Sequence, residues 1–143
     1  MQFRFLSLTP ALLLAPAVLF AQTPAAVSAR PDSLALARKF TTWFYTGQID
    51  SLLAHSPSDR QDSTARRRYQ ENLDQLTVRA GTEVEVIEEK FAMRNGRPQY
   101  WRTAKFSNFP EPILLRWVID GKGELVGMGL GPLSQAPPID PPK

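Results

Sequence analysis

Between Leu114 and Pro132 the chain reads Leu-Leu-Arg-Trp-Val-Ile-Asp-Gly-Lys-Gly-Glu-Leu-Val-Gly-Met-Gly-Leu-Gly-Pro, two apolar runs split by Gly121-Lys122-Gly123. Turn chemistry of that kind between two strand-forming runs demands an antiparallel hairpin. Pairing Asp120 with Glu124, with Gly123 in the left-handed position, sets Ile119 opposite Leu125 and Trp117 opposite Gly127. Trp117 would then cover a glycine and let the sheet bend. The same register puts Leu114, Arg116 and Val118 against Leu130, Met128 and Val126 on the other face. Both faces are then largely apolar, and neither is suited to water. One is expected to lie under helices. The other is expected to be a homodimer interface, with a covering tail or another partner as the alternatives.

The rest of the chain supplies those helices first. From Asp32 or Ser33, Leu36, Phe40, Trp43 and Phe44 recur at helical spacing until Gly47, an apolar stripe able to lie across a sheet. Ile49, Leu52 and Leu53 form a short second helical turn before His55-Ser56-Pro57. A third helix is expected from Asp62 or Ser63 to Arg79 or Ala80, with Ala65, Tyr69, Leu73 and Leu76 on one side and Gly81 as its stop. Arg66-Arg67-Arg68 lies on its solvated side, with Arg67 and Glu71 spaced as an i, i+4 pair.

After Gly81 the period falls to two. Thr82, Val84 and Val86 alternate with acids, and Ile87, Phe91 and Met93 carry the opposite parity, which a bulge near Val86-Ile87 explains. Asn95-Gly96 marks a hairpin turn, and a strand from Gln99 to Phe109 follows, with Tyr100, Arg102, Ala104 and Phe106 on one face. Helices followed by about four meandering strands make an α+β domain: about three N-terminal helices packed on a curved antiparallel sheet.

The 143 residues begin with an apolar stretch, Leu12 to Phe20, preceded by a single charge, Arg4. That is the pattern of a secretory signal peptide, expected over residues 1–29 with cleavage after Ala21 or Ala29. Residues 30–133 are then the domain, about 110 residues being enough for one core. Residues 134–143, Ser-Gln-Ala-Pro-Pro-Ile-Asp-Pro-Pro-Lys, are expected to be an extended or disordered tail. The product is expected to be periplasmic or secreted and off the membrane after cleavage. With no cysteine in the chain, neither a disulfide nor a lipidated N-terminal cysteine can form. The formal net charge is only +3, part of it Arg4, too little to argue for nucleic acid.

The three helices and the closing Trp117-Val118-Ile119-Asp120, Gly123, Leu125-Val126-Gly127 and Pro132 resemble the nuclear transport factor 2-like superfamily of cone-shaped α+β domains. More narrowly, they resemble a bacterial family of unknown function found alone or ahead of hydrolase domains. The resemblance implies a sheet curled around a helix-capped pocket and frequent dimers through the outer sheet face. It does not imply one activity.

Chemistry-bearing motifs are sparse. Asp50 and His55, five residues apart before a Ser-Pro loop, are the least implausible acid–base pair, and no other residues are nominated as catalytic. Glu83, Glu85, Glu88 and Glu89 crowd one strand, mainly on its solvent side by alternation. One histidine and no cysteine give no metal-ligand pattern, and no cofactor is expected. The glycines from Gly123 to Gly131 lack the Lys-Ser or Lys-Thr of a phosphate loop. The sequence therefore favours a non-catalytic exported domain that binds a small apolar ligand, with Trp43, Tyr69, Trp101 and Trp117 as lining candidates, or a protein partner. The alternatives are a small cone-type hydrolase or isomerase and a purely structural module. The state of the cone interior discriminates among them.

Overall fold

The computed structural model describes residues 31–141; the expected signal segment therefore lies outside the described residues. Three helices, α1 (Pro31–Tyr45), α2 (Ile49–Ala54) and α3 (Ser63–Ala80), precede four strands, β1 (Glu83–Arg94), β2 (Arg97–Phe106), β3 (Ile113–Ile119) and β4 (Leu125–Pro132). The strands form one open antiparallel sheet in the order β1-β2-β3-β4. The expected α+β class is thus the observed one. Among the described residues no helix is long and apolar enough to cross a membrane.

Local chemistry explains the boundaries. Gly47 at φ +72° ends the α1 segment, and the Gly47 and Gln48 amides bond back to Phe44 and Trp43. Asp62 caps α3 by accepting from the Ala65 amide at 2.8 Å, and Gly81 at φ +76° stops it. Asn95 and Gly96, both left-handed, make the tight β1–β2 turn. Gly123 at φ +83° closes the β3–β4 turn, where the Asp120 amide donates to the Glu124 carbonyl at 3.0 Å. Asp120 also accepts from the Lys122 and Glu124 amides, and these bonds hold its carboxyl below the usual range.

The core lies between the helices and one sheet face. Phe40, Phe44, Leu52, Tyr100, Leu115, Trp117 and Leu125 are its fully buried large side chains. Phe40 and Phe44 both meet Trp117 edge-on, at 6.2 and 5.8 Å between ring centroids. The Trp117 indole N–H donates to Thr41 Oγ1 at 2.9 Å, and that hydroxyl donates to the Ala37 carbonyl at 3.0 Å. A buried tryptophan is thereby satisfied from inside the helix above it.

Three expectations about register need correction. In the closing hairpin Ile119 does face Leu125, but Val126 is an extra residue, so Val118 pairs with Gly127 and Trp117 with Met128. Gly127, Gly129 and Gly131 consequently stand opposite Val118, Arg116 and Leu114, and it is Arg116, not Trp117, that lies over a glycine. The bulge has a visible cause. The Leu125 amide donates to the His55 carbonyl at 2.7 Å, and Arg60 Nη1 donates to the Val126 carbonyl, so the α2–α3 connection grips the start of β4.

The second correction concerns the proposed interface. Met128 and Leu130 pack into the helix-side core, whereas Leu114 lies on the far face in a small cluster with Ala92 and Trp101. Leu114, Arg116, Val118, Val126, Met128 and Leu130 therefore do not form one surface. The far face is partly covered by the C-terminal segment, whose Ala136 packs on that cluster. Farther on, the Asp140 amide donates to the Met93 carbonyl at 2.8 Å, and its carboxylate accepts from the Asn95 and Gly96 amides at 2.9 and 2.8 Å. In the tail, expected to be extended or disordered, residues 134–141 are anchored chain that reaches back to the β1–β2 turn.

The third correction concerns β1. It pairs with β2 through two irregularities, between Glu83 and Glu85 and between Val86 and Glu88. The second is the bulge expected near Val86-Ile87. Together they leave Glu85 and Glu88 exposed but turn Glu83 and Glu89 toward the helices.

Candidate functional site

A dense group of titratable side chains lies where α1 crosses β1 and β2. Arg102 projects from the helix-side face of β2, between Tyr100 and Ala104, and a guanidinium there requires carboxylates. Glu83 takes it through two bonds, Nε to Oε2 at 3.0 Å and Nη2 to Oε1 at 2.6 Å, and Glu89 accepts from Nη1 at 2.6 Å. These three side chains are 15%, 15% and 17% exposed. From α1, Arg38 forks onto Glu89, with Nη2 at 2.7 Å, and Tyr45 donates its hydroxyl to Glu83 at 2.9 Å. Tyr100 donates to Glu89 as well.

Two guanidinium groups thus face two carboxylates, and two phenols supply further donors. The hydrogen bond from Arg38, with those from Tyr100 and the charge of Arg102, holds the Glu89 carboxyl down to about 2 despite its burial. Burial first, and the adjacent glutamates second, push the Tyr45 and Tyr100 hydroxyls well above the usual phenol range. Glu89, the two phenols and the two guanidinium groups are held in their ordinary charge states, the reverse of what acid–base work near neutral pH needs. The arrangement fastens α1 to the corner of the sheet. Its one signal in the sequence is Arg102, sharing a strand face with Tyr100, Ala104 and Phe106; the carboxylates it needs were disguised by the β1 bulges.

The sequence-nominated residues do not converge. Asp50 is 77% exposed and pairs with Arg66 on α3. His55 instead donates from Nδ1 to the Ser51 carbonyl at 3.0 Å and packs its ring against Trp43 and Phe40, at 4.9 and 5.6 Å. Trp43 is half-buried, with the Lys39 ammonium 4.6 Å from its ring centre. Tyr69 sits on α3 beside a groove of about 480 Å³ that runs between α3 and β4, past Arg60, Arg68 and Met128. Trp101 is on the far face of the sheet, and Trp117 is core.

A recess of about 890 Å³ is open and lies between the start of α1, β2 and the β3–β4 turn, with Asp32, Phe91, Arg97, Asp120 and Lys122 on its walls. Its charges come from both signs, and Asp120 is already committed to backbone amides. Among the described residues no three histidine, cysteine or acidic side chains stand close enough to hold a metal ion. Comparison of the chain with protein-family models, with curated proteins and with solved structures finds no match.

Proposed function

We propose that this chain is an exported, non-catalytic domain of the nuclear transport factor 2-like kind whose filled interior leaves its surface to act, as a structural or protein-binding module. The observation that carries this reading is the interior. In a pocket-bearing cone the space under the helices receives the ligand, whereas here Trp117, Phe40, Phe44, Leu115 and Tyr100 fill it. A small apolar ligand beneath the helices would have to displace packed aromatic side chains. The enzyme reading needs Asp50 and His55 to act together, and each is engaged with a different group. Export rests on the apolar segment from Leu12 to Phe20 and the small residues after it.

Native mass spectrometry of the protein recovered from the producing cell tests both parts. The expected species starts after Ala21 or Ala29 and carries no retained small molecule. An uncleaved chain would remove the export reading, and a stoichiometric apolar ligand surviving purification would restore the pocket.

A further inference from the structure

The far face of the sheet carries two arginines that the helix-side network does not use. Arg116 stands opposite both Trp101 on β2 and Gly129 on β4. Its guanidinium lies 5.6 Å from the centre of the Trp101 ring, donates from Nη1 to Gln99 Oε1 at 3.1 Å, and rests directly on Gly129. A Cβ at position 129 would overlap it, so the glycine makes the room for that pose. Arg94 shares the face, two residues beyond Ala92, the partner of Gln99. Burial, and the positive charge of Arg94 close by, pull the Arg116 guanidinium below its usual range.

Arg38, Arg66, Arg67 and Arg102 each pair with a carboxylate. Among the described residues Arg94 and Arg116 have none within ion-pair distance, although both are only partly exposed. Asp140 reaches the same hairpin but gives its two oxygens to the Asn95 and Gly96 amides. Two donors on this face, Arg94 Nε and the Trp101 indole nitrogen, are out of solvent with no acceptor, and Trp101 is only 5% exposed. Buried donors are normally satisfied, and like charges at close range call for a counter-charge.

We propose that Arg94 and Arg116, with Gln99 and Trp101, form an oxyanion-binding site on the outer face of the sheet, for a carboxylate or a phosphate group. The planar guanidinium fork matches either group through paired hydrogen bonds, and one such anion offsets the repulsion between the two arginines. Gly129 is a positioning residue, because it lets the Arg116 guanidinium lie flat.

The test is titration of the mature, isotopically labelled protein with sodium acetate and, separately, inorganic phosphate, against chloride at matched ionic strength. The three tryptophans give three indole N–H resonances, and Trp117, bonded to Thr41 in the core, reports the fold. A saturable shift of the Trp101 indole and Arg94 Nε signals is expected with at least one ion, and which ion acts identifies the group. Arg116→Gln and Gly129→Ala are each expected to weaken the response about tenfold or more. Gly129→Ala keeps every charge and only moves the end of a flexible side chain, so it separates a built site from a general attraction to positive charge. No saturable shift with either ion, or an undiminished response in Gly129→Ala with the Trp117 signal unchanged, would overturn the proposal.

Discussion

Glu89 has the most to lose from a change of pH. In the folded chain its carboxyl titrates at about 2 against an ordinary 4.5, chiefly because Arg38 bonds to the ionised form. A carboxyl depressed by folding stabilises the fold above its unfolded value and loses that contribution as the pH falls through the folded one. Stability should therefore decline between about pH 4.5 and about 2 from this residue alone. Glu89→Gln keeps the shape but removes the charge, and leaves Arg102 with Glu83 only. In urea unfolding the variant is expected to be clearly less stable than the parent near neutral pH, by about 1 to 3 kcal/mol for a charged hydrogen-bond partner of this burial. Near pH 2 to 3 the two should approach one another, as the parent loses the advantage of ionisation. A gap that stays constant with pH would mean that the carboxylate is not held by its neighbours in this way.

At the scale of elements, the C-terminal segment is what turns a loose meander into a closed corner. Asp140 takes both amides of the Asn95-Gly96 turn while Ala136 sits on Trp101 and Leu114. Asp140→Ala should cost about 1 kcal/mol or somewhat more, because two exposed amides regain water in place of a charged acceptor. The check is hydrogen exchange, with faster exchange expected at Asn95 and Gly96 and none of that change at Trp117. Uniform exchange across the domain would assign the segment a global role instead. Nothing in the tail composition announces this anchor: proline-rich chain with one acid reads as linker, and its partner amides lie 44 and 45 residues away. The helices and turns were legible because each is set by neighbours in sequence, such as Asp62 before α3 or Asn95-Gly96 between strands. Register was legible only as far as Ile119 and Leu125. Beyond them the Val126 bulge shifts β4, and its cause is the distant grip of His55 and Arg60. The same limit hid the network around Arg102, since an irregularity between Glu83 and Glu85 adds to the expected one at Ile87.

For the whole molecule the question is whether two copies associate through the outer sheet face. An isologous dimer repeats one patch on both sides of a two-fold axis, and a stable one buries about 800 Å² per partner. On this face Leu114 and Trp101 are already buried, at 3% and 5% exposure, with the C-terminal segment over part of it. What remains open includes Arg94 and Arg116, which have no ion-pair partner among the described residues, and a two-fold contact would set these positive charges against their own copies. Of the exposed large apolar side chains, Val84, Val86 and Ile87 lie on β1 and Val78 near the end of α3, while Leu133 and Ile139 belong to the C-terminal segment itself. On β1, Glu85, Glu88 and Lys90 interrupt the edge, and two irregularities break its pairing line, both of which discourage strand-to-strand association. A chain starting at residue 30 is therefore expected to sediment as a monomer at tens of micromolar. A chain ending at Gln135, which uncovers Trp101 and Leu114, is expected to bind an apolar dye and to self-associate at the same concentration. A dimer of residues 30–143 that persists in Arg116→Glu would show that copies meet through another surface. A truncated chain that stays monomeric and dye-free would show that the covered face is apolar for reasons of packing within the sheet alone.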